Sequence, residues 1–210
     1  TRSLLDSAAP DCVALISGTH YPLGHDRLRR LLASAPGCQF MDALPMPRAG
    51  YPGGGGLDRV RTLHPFEGTK WFALRASGLA RRVQRLTRYE RRLPSDAVPH
   101  VGSQWWVLTA TCLADMLESP SLPAYERFFR RSWIPDESFF QTWVANSPYA
   151  ASVRPDPVVF ARWEGGSGPA VLTLDDLSAL RLSAAPFARK VEPEASRSLM
   201  DVLDDDQEWV

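Results

Sequence analysis

The sequence lacks the features that mark several classes of protein. Lysine plus arginine and aspartate plus glutamate number 24 each, so the chain has no net charge and no general affinity for nucleic acid is expected. Three widely spaced cysteines form neither a disulfide framework nor a zinc site, which favours a reducing compartment. The four histidines show no metal-ligand spacing. We recognise no signal peptide and no apolar run long enough to span a bilayer.

The chain does have enough apolar side chain for a core. Hydrophobic residues make up 44% of its 210 residues, which indicates one globular domain of ordinary size. The apolar segment 12–17 predicts a strand in a sheet that is covered on both faces. A helix that carries Leu28, Leu31 and Leu32 should follow, so the alternation predicts an α/β fold. Because the chain starts at Thr1 without methionine, we expect further elements upstream.

Three segments have a biased composition. Residues 45–58 contain four consecutive glycines, but no Lys-Ser/Thr pair follows and no helix clearly starts there, so we predict a flexible loop and not a phosphate cradle. The arginine-dense segment 71–93 predicts a solvated helix face more than an anion-binding surface. The acidic end of the chain, 201–210 with Asp204 to Asp206, predicts a solvated or disordered tail.

Residues 134–148, IPDESFFQTWVANSP, place two adjacent acids before an aromatic run. The apolar residues of this run have helical spacing, namely Phe139, Phe140, Trp143 and Val144. Asp136 and Glu137 would then lie at the N-terminus of that helix, with Asp136 as its cap, where carboxylates contribute about 0.3–1 kcal/mol as caps and dipole partners. A carboxylate held at the edge of a pocket is also what a general base requires. The residues alone leave both roles open.

Earlier in the chain, HVGSQWWVLTATCLADMLE predicts a turn at Gly102, a strand over 105–108 and a helix with Thr109 as its N-cap. The segment 101–109 and the segment 128–148, FFRRSWIPDESFFQTWVANSP, closely resemble motifs of the core-2/I-branching glycosyltransferase family. That family includes the peptide O-xylosyltransferases and bacterial relatives.

Two further segments resemble the family in the same order. They are ALISGTHYPLG at 14–24 and LTLDDLSALRLSAAPFARKVEP at 172–193, so the resemblance runs from Asp11 to Glu192. It implies a GT-A-type α/β fold, with residues 1–210 forming one glycosyltransferase domain. The family's N-terminal strands, which hold the uridine, are not in this chain.

The resemblance also implies an activity. Family members transfer a sugar from a UDP-sugar to an acceptor hydroxyl, on a glycan or another acceptor, with inversion. Glu137 matches their general base, and the late proton transfer of an oxocarbenium-like transition state suits a carboxylate. The substrate-binding positions implied are Ser103, Gln104, Trp105, Trp106 and Asp136. Stacking of the tryptophans on a sugar and packing of one of them inside the sheet both stay open.

Basic residues are implied at the leaving diphosphate. Lys190 in FARK matches the family's diphosphate-binding lysine, and Arg189 lies beside it. The family's second basic residue falls at Val159 here, so Arg162 or Arg154 is the candidate substitute. Fixed cations stabilise the developing charge as a metal would, so neither a metal nor another cofactor is implied.

A non-catalytic relative that binds glycans or partners is the alternative. His20 stands where the family has an aspartate, Val159 lacks the basic group, and the uridine strands are missing, whereas Glu137 and Lys190 favour catalysis. A glycoside hydrolase is rejected, because Asp136 is adjacent to Glu137 and is hard to place across a glycosidic bond from it. The bias toward Ala, Arg, Pro and Leu, with no anchor seen, favours a bacterial cytoplasmic member over a Golgi member.

Overall fold

The computed structural model describes residues 10–64, 78–79, 82–84, 86–165 and 168–206 and shows a mixed α/β chain of short elements. The chain divides into two compact units. Unit 1 consists of residues 1–11, 42–104 and 110–153, and unit 2 consists of residues 12–41, 105–109 and 154–210. That residues 1–210 form one glycosyltransferase domain stays a prediction.

The strands in chain order are β1 (Cys12–Leu15), β2 (His20–Pro22), β3 (Gln39–Phe40), β4 (Leu44–Pro45), β5 (His100–Val101), β6 (Trp106–Thr109), β7 (Val153–Arg154), β8 (Val159–Ala161) and β9 (Phe187–Arg189). The α-helices are α1 (His25–Ser34), α2 (Pro52–Gly55), α3 (Asp58–Arg61), α4 (Ala110–Glu118), α5 (Leu122–Phe129), α6 (Phe139–Ala145), α7 (Leu177–Leu182) and α8 (Arg197–Asp205). Single 3-10 turns occur at Pro94–Asp96, Pro135–Glu137, Ala150–Ser152 and Leu174–Asp176.

The sheets of unit 2 are small and mixed. Strand β6 lies between β1 and β3 and is antiparallel to both. In a second sheet, β9 lies between β2, to which it is antiparallel, and β8, to which it is parallel. The prediction of a strand covered on both faces over 12–17 was wrong in its details. The strand ends at Leu15, and each of its four residues is only partly buried.

Helix α1 confirms the helix predicted after the first strand. Its Leu28, Leu31 and Leu32 pack against a buried cluster of unit 2 that contains Phe40 and Val107. The regular spacing of leucines at i, i+3 and i+4 directs them to one face, which is why the sequence sufficed here.

Helix α8 corrects the prediction for the acidic end of the chain. Leu199 and Leu203 are buried in a second cluster of unit 2, so the helix continues to Asp205. Tyr21 donates a hydrogen bond to Asp204, and Arg181 forms an ion pair with Asp206 at 2.6 Å. Asp204 to Asp206 are exposed, which agrees with a solvated segment, but they lie at the end of an ordered helix and not in a disordered tail. Residues 207–210 lie outside the described residues.

Unit 1 is built mainly from helices α4, α5 and α6. Leu113 and Met116 are buried on α4, and Trp143 and Val144 are buried on α6, as the helical spacing predicts. The prediction that residues 45–58 form a loop without a helix start was wrong in its second half. Pro52–Gly55 forms a single helical turn, in which Gly53 and Gly54 have a left-handed backbone, and helix α3 begins at Asp58. No helix among the described residues has the length and apolarity needed to cross a membrane.

The arginine-dense segment 71–93 lies partly outside the described residues. Within it, 78–79, 82–84 and 86–87 are helical, which agrees with a partly helical segment.

Candidate functional site

The two motifs that carry the resemblance meet within unit 1. The backbone N–H of Gly102 donates to the carbonyl oxygen of Glu137 at 3.0 Å. On helix α6, the fully buried Gln141 donates its Nε2 hydrogen to the carbonyl oxygen of Ser103 at 2.7 Å. Segments that are distant in sequence are therefore held against each other through their backbones, directly beside Glu137.

Gly102 is required by a close approach of two chain segments. A Cβ atom added at this position would lie 1.9 Å from the carbonyl oxygen of Asp42 and 2.6 Å from its carbonyl carbon. Any side chain would therefore push the Gly102 turn away from Asp42 and from Glu137. Glycine here follows from packing and fixes the position of the candidate base.

Glu137 lies on the 3-10 turn Pro135–Glu137, which a strained residue precedes. Ile134 has φ 49° and ψ 64°, a left-handed conformation that β-branched residues rarely adopt and that costs about 1–3 kcal/mol. After the turn, Ser138 precedes helix α6 in the N-cap position. The prediction that Asp136 caps this helix was wrong, because the turn separates the two acids from the helix start.

Glu137 forms an ion pair with Arg59, which helix α3 carries. The Arg59 guanidinium donates from Nη1 to Oε2 of Glu137, and the side chains are 16% and 30% exposed, respectively. Among the described residues, no protein group bonds to the other carboxylate oxygen, Oε1. Glu137 is thus not a simple exposed acid. One oxygen is fixed by a cation, and the other is able to accept a hydrogen bond from a ligand.

Arg91 holds the segment that carries Arg59. Its Nη1 donates to the carbonyl oxygen of Arg131 at 2.8 Å and to Oγ of Ser132 at 3.1 Å, with longer contacts to the carbonyl oxygens of Val60 and Thr62. Burial lowers the pKa of Arg91 from its ordinary value. The guanidinium therefore ties the end of α3 to the segment that follows α5 and leads to Glu137.

The sheet β2-β9-β8 of unit 2 gathers the candidate cations. Ala161 at the end of β8 is in register with Arg189 at the end of β9, and the two strands are parallel. Arg162 and Lys190 are the next residues along the chain, so both follow the C-terminal ends of their strands at the same end of the sheet. Of the two candidate substitutes, Arg162 therefore follows the strand that pairs with β9, whereas Arg154 lies on β7 in the other sheet.

Each of these cations has an acidic or aromatic partner. Lys190 forms an ion pair with Glu192 at 2.5 Å, in which both side chains are more than a third exposed. Arg162 forms an ion pair with the nearly buried Asp176 at 2.8 Å and a second one with the exposed Glu164. The guanidinium of Arg189 lies over the ring of Trp105, 4.9 Å from its centroid.

His20 is a neutral group at this sheet. Its Nδ1 accepts from the backbone N–H of Ser17 at 3.1 Å, and burial, followed by the charge of Arg189, lowers its pKa to about 4. The ring lies edge to face against Trp105 at 4.4 Å between centroids. The ring of His20 is therefore uncharged at neutral pH.

The structure divides the predicted site residues between the units. Ser103, Gln104, Asp136 and Glu137 belong to unit 1, and Trp105, Trp106, Arg162, Arg189 and Lys190 belong to unit 2. Trp106 is buried at 3% exposure, which confirms that one tryptophan packs inside. No group of three or more metal-ligating side chains occurs in the described part of the chain.

Sequence reasoning missed Arg59 as the partner of Glu137. The signal was faint: after four glycines and Leu57, an Asp-Arg pair starts a short helix. Nothing local links this arginine to an acid 78 positions further along the chain.

Comparison with known proteins gives a weak similarity. No known protein family matches the chain as a family pattern. The chain is 27% identical over 134 residues to xylosyltransferase 2 of Mus musculus and 27% identical to that of Rattus norvegicus. It is 26% identical to xylosyltransferase 2 of Canis lupus familiaris. Each match covers 55% of this chain and 16% of the relative, so the chain spans less than one fifth of the length of these curated relatives.

Proposed function

We propose that this protein transfers a sugar from a UDP-sugar to an acceptor hydroxyl with inversion at the anomeric carbon. The similarity to xylosyltransferase 2 supports sugar transfer in general. The observation that carries the finer proposal is the position of Glu137. Its backbone carbonyl oxygen accepts from Gly102, and its carboxylate is held by Arg59, with Oε1 unbonded within the described residues. A GT-A-type fold and membership of the core-2/I-branching family are part of the same proposal.

In this mechanism Glu137 is the general base. Arg59 keeps one carboxylate oxygen fixed, and Oε1 accepts the proton of the acceptor hydroxyl as its oxygen attacks the anomeric carbon. The bond from that carbon to the diphosphate oxygen breaks in the same step, and UDP leaves with the bonding electrons. Ser103, Gln104 and Asp136 of unit 1 are proposed to bind substrate, and so is Trp105 of unit 2. The implied binding role of Trp106 does not fit the structure, because its side chain is buried.

The cations of unit 2 are proposed to receive the leaving diphosphate. An exposed ion pair such as Lys190 with Glu192 contributes only about 0–1 kcal/mol, so a diphosphate can replace Glu192 at little cost. Arg162 is held more firmly by Asp176 and would add a second fixed charge, with Arg189 beside it. Preorganised cations of this kind stabilise a developing negative charge without a metal ion.

A calorimetric titration of the full-length protein tests this function. UDP and a panel of UDP-sugars are titrated with and without a chelator. We expect UDP and one or more UDP-sugars to bind equally well in both conditions. Failure of a well-folded sample to bind any nucleotide sugar would favour the alternative, a non-catalytic relative that binds glycans or partners.

A further inference from the structure

A cavity of about 280 Å³ in unit 1 has no role in the proposed function so far. It is lined by Gly53, Asp58, Arg59, His64 and Trp133, among others. Arg59 is also the ion-pair partner of Glu137, so the cavity shares a side chain with the candidate base. Its volume lies just below the range of about 300–1,000 Å³ that is typical of small-molecule sites, which suits a ligand of one or two rings.

Trp133 gives this cavity an exposed aromatic wall. Its side chain is 51% exposed, and its ring lies 5.2 Å from that of His64 at an angle of 38°. The backbone N–H of Trp133 donates to the carbonyl oxygen of Arg59, and that of His64 donates to the carbonyl oxygen of Arg131, both at 2.9 Å. Both rings are therefore attached to fixed backbone, and an indole face held in this way stacks well on the C–H face of a sugar ring.

The polar side of the cavity accepts hydrogen bonds. Asp58 is exposed at the start of α3, and no ion pair of its carboxylate occurs within the described ranges. Carboxylate oxygens accept hydrogen bonds from hydroxyl groups and repel anions, so this wall suits a neutral, hydroxyl-bearing ligand.

The first residue of the four-glycine run, Gly53, lines this cavity. Gly53 has φ 69°, and a Cβ atom added there would lie 3.2 Å from Cβ and 3.3 Å from Oδ2 of Asp58. A side chain at position 53 would crowd Asp58 and narrow the cavity. Glycine thus keeps both the left-handed backbone and the space beside the carboxylate.

We propose that this cavity binds a neutral sugar ring of the acceptor, with Trp133 as the stacking surface and Asp58 as the hydrogen-bond acceptor for its hydroxyls. The assignment of this ligand to the acceptor rests on the proposed function, because Arg59, which lines the cavity, is what links it to Glu137 among the described residues. The binding of a sugar ring does not rest on it, since aromatic stacking and hydroxyl recognition need no donor substrate.

Saturation-transfer NMR of the full chain, without any nucleotide sugar, tests the site. The probes are methyl β-xylopyranoside, methyl β-galactopyranoside and methyl N-acetyl-β-glucosaminide. We expect at least one of them to bind, Trp133→Ala to lower its affinity at least ~10-fold, and Trp133→Phe to lower it less. Asp58→Asn should weaken binding while the fold stays intact.

Trp163→Ala is the matched control, because Trp163 is also an exposed tryptophan, at 64%, but lies in unit 2. It should leave glycoside binding unchanged. The proposal is overturned if no glycoside binds, or if folded Trp133→Ala and Asp58→Asn proteins bind as well as the unchanged protein does. Should Trp133→Ala fail to fold, Trp133→Phe and Asp58→Asn decide the matter.

The same variants separate this proposal from the proposed function. Trp133→Ala should leave UDP binding in the calorimetric titration unchanged. If Trp133→Ala loses glycoside binding but the unchanged protein binds no UDP-sugar, the sugar site is supported and the proposed transferase function is not. If the unchanged protein binds a UDP-sugar but Trp133→Ala binds the glycoside normally, the transferase function is supported and the sugar site is not.

Discussion

The candidate carboxylate of unit 1 and the candidate cations of unit 2 are positioned in different ways. Glu137 lies on a three-residue turn after a left-handed isoleucine and is fixed by a backbone bond from Gly102 and by one arginine. Arg162 and Lys190 instead follow the ends of two paired strands, and each has its own acidic partner. The carboxylate depends on one irregular turn, whereas the cations depend on a sheet register that several residues share.

This difference teaches where the molecule tolerates change. Damage to a single irregular turn displaces the candidate base itself, so the loss of turnover should be nearly complete. When several cations bind one anion, the removal of one of them should weaken the binding only in part. The experiments below test this contrast, beginning with the largest expected effect.

Glu137→Gln should lower turnover by about 10²–10⁴-fold, because an amide cannot take the proton of the acceptor. It also leaves Arg59 without its partner, so the free energy of unfolding should fall by about 1 kcal/mol. Initial rates and urea denaturation measure the two effects. Arg59→Gln is the companion variant, and normal turnover in it would show that the ion pair is not needed to position the carboxylate.

Gly102→Ala should destabilise the protein by about 3 kcal/mol, because its Cβ would overlap the carbonyl oxygen of Asp42. Gly18→Ala is the matched control, since Gly18 lies between β1 and β2 of unit 2 and a Cβ added there meets nothing within 4 Å. Chemical denaturation of both variants measures the difference. Equal stability of the two would contradict the contrast between the irregular turn and the sheet.

Lys190→Ala and Glu192→Gln should change UDP binding in opposite directions. The first removes a cation and should raise the Kd by ~10-fold, which corresponds to about 1.4 kcal/mol. The second removes the acid that competes for Lys190 and should lower the Kd by a factor of ~3, within the range of an exposed ion pair. Titration calorimetry at one ionic strength measures both. A Kd that Glu192→Gln leaves unchanged or raises would argue against displacement of Glu192 by the diphosphate.

His20 should give the smallest effect, on stability as a function of pH. Its pKa is lowered to about 4 in the folded protein from an ordinary 6.5, so between these values the unfolded chain binds more protons. The stability that the neutral ring contributes is present above pH 6.5 and is lost as the pH falls toward 4. Urea denaturation at pH 7 and pH 4.5 should show a smaller decrease for His20→Gln than for the unchanged protein. Parallel decreases would mean that another group titrates.

The sequence predicted those elements whose information is local. Helix α1 follows from the spacing of Leu28, Leu31 and Leu32, and helix α6 follows from its aromatic run. The motif at 134–148 located Glu137, although not its surroundings. The capping role of Asp136 was predicted wrongly, because a separate 3-10 turn after the left-handed Ile134 contains both acids. The residue types in this segment do not indicate a left-handed conformation at an isoleucine.

Features that depend on distant segments were not predictable. Arg59 and Glu137 are far apart in sequence, and so are Gly102 and Asp42. In a chain with many arginines, the sequence does not indicate which acid a given arginine pairs with. It also does not indicate which carbonyl oxygen approaches a glycine in a turn. The prediction for the acidic end of the chain considered only the charges of Asp204 to Asp206. It missed the amphipathic helix whose Leu199 and Leu203 are buried.

The conformation of Ile134 also bears on how the protein would respond to selection in the laboratory. Glycine or asparagine adopts a left-handed backbone at lower cost than isoleucine does, so a library screened for heat resistance alone should enrich one of them at position 134. These clones would gain freedom in the turn between Trp133 and Glu137. They should therefore keep their fold at higher temperature while they lose sugar transfer, a trade that only a screen for both properties would avoid.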